Sequence, residues 1–365
     1  MSFACVRTVS FRNLADADTD VRGKDIFLVG ENGQGKTNFL EALYFCSYAS
    51  SFRGVRDRDL VRKGDQDCSV AVSFDSLLYS NVNVSFKDGK KGIYLDGKRV
   101  EDRKELLSVA PSIVFCHEDM EFVAGTPERR RWFFDQTRSL WDSLYLDDFR
   151  KYRHVLKTRN ALFHKDGGTR PRLTAEMSAM LDALDPQMAH YGLEIKRKRQ
   201  QTADEFSLVF EPLYREISGI AGIGVKYLPS WKGDDAVEIA AVLEQRREAD
   251  ISFGVSLSGP HRDRYAFTRE GEDFSGQAST GQRRLLALLL RLAQARVFSD
   301  KTGKKPVLLF DDVLLELDGE KRRRFLSVMP DYEQAFYTFL PGEYDTYRKP
   351  DTIVYSINNG ELRRA

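Results

Sequence analysis

The run Gly30-Glu31-Asn32-Gly33-Gln34-Gly35-Lys36-Thr37 constrains this chain more than any other. It fits the pattern G-x-x-x-x-G-K-[ST] in full and lies where that pattern can work. Ile26-Phe27-Leu28-Val29 before it is unbroken apolar sequence, as in a strand covered on both faces. Asn38-Phe39-Leu40-Glu41-Ala42-Leu43-Tyr44-Phe45 after it has helical spacing. Strand, glycine-rich loop and helix together make a cradle for phosphate: glycines let the backbone wrap an anion, and free N–H groups at the helix start face it. All eight residues are therefore expected to bind ATP, with Lys36 on the β and γ phosphates and Thr37 on Mg²⁺.

Two distant segments suit the same chemistry. Val307-Leu308-Leu309-Phe310 is a second buried strand, ending in Asp311-Asp312. A hard cation beside phosphates needs an acid, and Asp311 fits that role. Asp312 is expected to orient the attacking water as a general base. The plainer alternative is an acidic strand end before a loop. Ser279-Thr280-Gly281-Gln282 precedes Leu285-Leu286-Ala287-Leu288-Leu289-Leu290 and reads at the least as a helix start, since Ser and Thr cap helices. A hydroxyl and a glycine at a helix N-terminus also suit a γ-phosphate. Gly281 and Asp311 are 30 residues apart (311 − 281), enough for one long helix, a loop and a strand.

Around these motifs the chain divides in three. Residues 1–128 and 251–365 mix strands and helices, and together they read as one split α/β head. Phe3 to Phe11 roughly alternates, as a half-buried strand does. Val70–Phe74, Asn81–Phe86 and Ile93–Leu95 are short β-like runs, with Asp88-Gly89 and Asp96-Gly97 as turn signals. Residues 129–250 read as a helical insert: Tyr145 to Phe163, Arg172 to Asp185, Met188 to Leu213 and Asp235 to Arg247. Pro186 and Pro212 are expected to cut this insert into pieces, too short and interrupted for a long coiled-coil arm.

With 365 residues, 42% apolar and 30% charged, the chain reads as soluble and globular. No apolar run approaches the ~20 residues of a membrane span. The N-terminus lacks an export pattern. Cys5, Cys46, Cys68 and Cys116 are scattered, so neither a disulfide framework nor zinc is favoured, and the cytoplasm is the expected compartment. The five histidines have no metal spacing. A net charge of +1 is not that of a chain coated for nucleic acid, so DNA binding would need a local patch or a dimer. Phe11-Arg12-Asn13, Ser51-Phe52-Arg53, Arg129-Arg130-Arg131, Lys196-Arg197-Lys198-Arg199 and Lys321-Arg322-Arg323-Arg324 are the basic candidates. For each, a solvated face or local salt pairs is the simpler reading.

These residues resemble the RecF family of recombination mediators, relatives of the Rad50, SMC and ABC-type ATPases. The likeness runs nearly end to end. It includes Phe11-Arg12-Asn13, the phosphate loop, Ser51-Phe52-Arg53, Arg130-Arg131 with Asp135, and Leu156-Lys157-Thr158-Arg159-Asn160-Ala161. It continues through Ser258-Gly259-Pro260-His261-Arg262-Asp263, Ser279 to Gln282, and Asp311-Asp312 to Glu316-Leu317-Asp318. The resemblance implies an α/β, ABC-type (Rad50-like) ATPase head with a mainly helical second lobe and no long coiled coil. It implies a weak, DNA-stimulated ATPase acting as a switch in DNA repair, replication restart and SOS induction. ATP would close a homodimer as a clamp on single-stranded or gapped duplex DNA, and RecR and RecO would assist in loading RecA.

Carried over by position, Ser279, Gly281 and Gln282 bind ATP, with Ser279 and Gly281 touching the γ-phosphate across the dimer. Lys36, Asp311 and Asp312 carry catalysis, Thr37 and Asp311 hold Mg²⁺, and Glu316-Leu317-Asp318 crosses to the other subunit. Three positions depart from the family pattern: Leu315 stands where Ser is usual, His117 where Pro is usual, and Ala278 where Leu is usual. The alternative is the ATPase subunit of an ABC transporter. There the loop-to-motif spacing is ordinarily near one hundred residues, against 245 here (281 − 36).

Overall fold

A computed structural model describes residues 2–76, 78–164 and 171–365. The chain opens with β1 (Phe3–Val9), β2 (Ala17–Asp20), β3 (Asp25–Val29), α1 (Lys36–Tyr48), β4 (Cys68–Phe74), β5 (Asn81–Lys87), β6 (Lys90–Leu95), β7 (Lys98–Arg99), α2 (Lys104–Leu107), β8 (Ser112–Phe115) and α3 (Met120–Ala124). Next come α4 (Pro127–Ser139), α5 (Ser143–Ala161), α6 (Ala175–Ser218), β9 (Ile223–Leu228), α7 (Ala236–Gln245), α8 (Arg247–Phe253), β10 (Arg264–Arg269), β11 (Glu272–Asp273) and α9 (Phe274–Gln277). The chain ends with α10 (Thr280–Thr302), β12 (Val307–Phe310), α11 (Gly319–Ser327), β13 (Gln334–Phe339), β14 (Ile353–Asn358) and β15 (Glu361–Arg364). Two compact units result: Met1–Met120 with Arg284–Ala365, and Glu121–Arg283.

The first unit holds two sheets. One runs β15-β14-β3-β13-β12-β8, parallel except for its β15 edge. Strands β3, β8, β12 and β13 are buried at every residue, which is why they read as continuous apolar runs and not as alternation. The other sheet is antiparallel, in the order β2-β1-β4-β5-β6-β7. There β4 alternates strictly between buried and half-buried, the signature of one covered face. Both predicted turns form with positive φ at Asp88 and Gly89 and at Asp96 and Gly97, the type I′ geometry that suits a twisted hairpin. Helix α1 touches strands of both sheets and is therefore apolar nearly all round.

In the second unit the prolines do not act as breakers. Helix α6 runs unbroken for 44 residues through Pro186 and Pro212. An interior proline costs ~3 kcal/mol in an isolated helix. Here α6 packs along α4, α5, α7 and β9, and residues such as Met188, Ala189, Leu193, Phe206 and Phe210 are buried, which offsets that cost. The mainly helical insert also contains a strand: β9 pairs with β10, and β10 with β11. That sheet draws residues beyond 250 into the second unit, which thus spans Glu121–Arg283 and not 129–250. Among the described residues no helix is long and apolar enough to cross a membrane.

Candidate nucleotide-binding site

The phosphate loop leaves β3 and is shaped by backbone proximity. A Cβ on Gly30 would lie 2.4 Å from the carbonyl oxygen of Ile357 on β14, so no larger residue fits there. The Lys36 ammonium is buried and donates to the loop's own carbonyls, Gly30 O at 2.6 Å and Glu31 O at 3.3 Å. Thr37 Oγ1 donates to Asp311 Oδ1 at 2.8 Å. This joins α1 to the end of β12, two strands away from β3 in the sheet. A cleft of about 250 Å³ opens above, lined by Glu31, Asn32, Gly33, Gly35, Lys36, Thr37, Asn38, Arg53 and Asp312. All of these belong to the first unit.

The two acids differ. Burial pushes the Asp311 carboxyl up to about 6; the Thr37 hydroxyl partly opposes this and the Asp312 charge adds to it. Asp312 is in the left-handed region at φ 55°, a conformation that Asp tolerates, and faces the cleft. Its N–H donates to Thr338 Oγ1 at 2.8 Å.

Several of the basic candidates turn out to be braces. Arg12 donates to both carboxylate oxygens of buried Glu41, at 2.9 and 3.1 Å, and to Asp59 O at 2.8 Å. Asn13 Nδ2 donates to Gly33 O at 3.0 Å, while its Oδ1 accepts from Asn38 Nδ2 at 2.7 Å. Arg53 Nη1 donates to Asn38 Oδ1 at 3.2 Å, and Arg53 lines the cleft. On the other side of the loop, Gln34 points away from the cleft: its Oε1 accepts from Asn359 N at 2.7 Å and its carbonyl from Gly360 N at 2.8 Å. Gly360, at φ 80°, passes so close to Asn13 O that any Cβ would collide with it.

Ser279, Gly281 and Gln282 lie in the second unit. They form a reciprocal cap at the start of α10, Ser279 N donating to Gln282 Oε1 at 2.8 Å and Gln282 N to Ser279 Oγ at 3.3 Å. Ser279, Thr280 and Gly281 are exposed. The Leu315 side of the following acid loop is only half-buried, and Glu316 is held by His117 Nδ1 at 3.1 Å, at the position where the family pattern has Pro.

The remaining clusters are largely engaged in local pairs, some buried and some exposed. Arg199 is buried and pairs with Asp135 at 2.8 Å and Asp263 at 2.9 Å. Lys196 pairs with Asp234, Arg197 with Glu194, and Lys198 with Asp142 and Asp148. Arg130 donates to Val123 O and Tyr265 O, and Arg131 to Asp263 O. Lys321 and Arg324 pair within α11 and its cap, and Arg322 donates to Leu317 O. The family motif around Arg159 is internal too: its guanidinium binds Asp185 at 2.7 Å and Asp250 at 2.6 Å. Cys46, Cys68 and Cys116 are buried free thiols.

Sequence reasoning missed Thr338, the bracing role of Asn13 and the Asn359-Gly360 turn. The apolar run Ala335-Phe336-Tyr337 before Thr338 was the available signal for a buried strand. Nothing local in Asn359-Gly360 points to the loop it supports.

The profile of the RecF/RecN/SMC N-terminal domain family matches residues 4–340. The chain is 42% identical over 355 residues to the DNA replication and repair protein RecF of Treponema pallidum (strain Nichols), across 96% of this chain and 98% of that one. It matches the solved structure of the recombination mediator protein RecF-ATP in the RecFOR pathway with a TM-score of 0.87 at 26% identity, covering 100% and 97% of the two chains. The Smc head bound to the C-winged helix domain of ScpA shares the fold, with a TM-score of 0.57 at 15% identity and coverage of 100% and 97%. The α/β, ABC-type head with a mainly helical second lobe is therefore the observed fold, with no long coiled coil among the described residues. Matched over almost its whole length by sequence and by fold, the chain belongs to the RecF family.

Proposed function

We propose that this chain is an ATP-dependent recombination mediator of the RecFOR type, an ATPase with the cytoplasm as its compartment. The carrying observation is the meeting of Lys36, Thr37 and Asp312 at one cleft, with Asp311 bonded to Thr37. The donor set fits ATP and Mg²⁺. A buried ammonium held by carbonyls has better partners in phosphate oxygens. A buried carboxyl with a raised pKa is relieved by a cation. Among the described residues no three of His, Cys, Asp and Glu converge, so Thr37 and Asp311 would hold the ion together with phosphate oxygens and water.

Bound ATP with its ion supplies the phosphoanhydride to be cleaved. Lys36 exchanges its loop carbonyls for phosphate. Asp312 holds the attacking water and takes its proton. The exposed cap at Ser279 and Gly281 presents a hydroxyl and free N–H groups to the γ-phosphate of a second copy, closing a homodimer on single-stranded or gapped DNA. Slow hydrolysis reopens it, and RecR, RecO and RecA are the partners in this reading. The transporter alternative loses support, because the relatives matched end to end are DNA replication and repair proteins.

Light scattering with and without ATP and Mg²⁺, repeated with gapped DNA, tests the proposal. The expected result is a one-copy mass without nucleotide and a two-copy mass with it, retained on DNA. A one-copy mass under every condition overturns the dimer.

A further inference from the structure

The motifs account for Asp311 through Thr37, but not for what orients Asp312. Strand β13 lies between β3, which feeds the phosphate loop, and β12, which carries the acids. Its Thr338 is 2% exposed. Thr338 Oγ1 accepts the Asp312 N–H at 2.8 Å and lies 2.7 Å from Asp312 Oδ1. The hydroxyl has one proton, and two oxygens compete for it: Phe310 O at 3.4 Å and Asp312 Oδ1 at 2.7 Å. The nearer, charged oxygen takes it. One hydroxyl thus closes a ring of two hydrogen bonds on a single residue. It fixes the left-handed backbone of Asp312 and its side-chain torsion together. It also occupies Oδ1 and leaves Oδ2 for the cleft, which Asp312 lines.

We propose that Thr338 is a positioning residue for hydrolysis, aiming the Asp312 carboxylate at the attacking water. This rests on the role given to Asp312 above. Thr338 has no place in nucleotide binding: it is buried behind Asp312 and does not line the cleft. Its loss therefore affects turnover and leaves binding intact. The competing explanation is that the hydroxyl merely satisfies a buried N–H, in which case only stability depends on it.

The test compares Thr338→Val, Thr338→Ser, Asp312→Asn and the Asp312→Asn/Thr338→Val double variant in the full chain. Steady-state hydrolysis, affinity for a fluorescent ATP analogue and the lifetime of the ATP-loaded dimer are read in each. Thr338→Val should lower kcat about ten- to hundredfold with KM and analogue affinity unchanged. It should also lengthen the dimer lifetime, and Thr338→Ser should restore both. In the Asp312→Asn background Thr338→Val should cost nothing more. If Thr338→Val fails to fold, Thr338→Ala removes the hydroxyl without adding bulk and is read the same way.

Unchanged kcat, or a raised KM at unchanged kcat, overturns the inference while leaving the ATPase reading intact. A further loss in the double variant also overturns it. If Asp312→Asn hydrolyses ATP at the wild-type rate, the assignment of Asp312 fails and this inference fails with it.

Discussion

Thr37 Oγ1 and Asp311 Oδ1 lie 2.8 Å apart across 274 residues of sequence. This one contact holds together the two residues proposed above to hold the cation. It joins a helix start that offers a hydroxyl to a strand end that offers a buried acid, before any ion arrives. Burial raises the acid's pKa to about 6, so at neutral pH it carries a charge that the buried site disfavours and that a bound cation would relieve.

Asp311→Asn should therefore move two properties in opposite directions. The folded pKa is raised from 3.8 to about 6, so ionised Asp311 penalises the metal-free fold above that window. Its favourable contribution is complete below pH 3.8 and lost as pH rises through 6. At pH 7 the amide should stabilise the metal-free protein by up to about 3 kcal/mol. Differential scanning calorimetry without Mg²⁺ should show the rise in Tm at pH 7 and none near pH 4. Mg²⁺-dependent nucleotide affinity should fall in the same variant, and in the wild type should weaken below pH 6.

Ser279→Arg should leave nucleotide affinity of the single copy nearly intact and block the ATP-driven dimer. Its side chain is exposed and its cap is local, so the change does not disturb the cleft of its own first unit. Sedimentation with ATP and Mg²⁺ reads the dimer, and a fluorescent analogue reads affinity. A fall in affinity ahead of any effect on mass would assign Ser279 to its own copy's nucleotide.

His261 should make the second unit acid-sensitive. Its Nε2 lies 2.9 Å from Ser256 O and so carries the proton, while Nδ1 accepts from the Tyr152 hydroxyl at 2.7 Å. Burial lowers its pKa from 6.5 to about 4. The unfolded chain protonates first as pH falls, so stability is intact above 6.5 and lost as pH drops toward 4. From pH 7 to pH 5 the loss is about 2 kcal/mol. Urea titrations at both pH values should show it, and His261→Gln should flatten the difference.

Arg199→Met should destabilise the second unit by about 3–5 kcal/mol, because it strands Asp135 and Asp263 without their cation. Arg197→Ala, on the exposed side of the same helix, should change stability by less than about 0.5 kcal/mol. DNA affinity measured for Arg197→Ala should match the wild type. A steep loss there would restore the cluster as a DNA contact.

The phosphate loop, β12 and the α10 cap were legible because each is local. Apolar runs bounded by Gly30 or by Asp311-Asp312 declare both the element and its end. The I′ turns at Asp88 and Asp96 were legible for the same reason. Continuity of α6 was not, since what overrides Pro186 and Pro212 is packing by α5, α7 and β9, which no window of sequence contains. The split of Lys196-Arg197-Lys198-Arg199 into buried and exposed partners follows from Asp135, Asp234 and Asp263, far off in the chain. Arg53 and Asn13 read as basic or polar surface until the fold brings Asn38 between them.

The support of Gln34 by Asn359 and Gly360 makes the β14–β15 turn a structural part of the phosphate loop. Proteolytic trimming at that turn would leave every motif residue in place and still let the cradle sag, so an inactive preparation with an intact motif set should first be weighed by mass spectrometry.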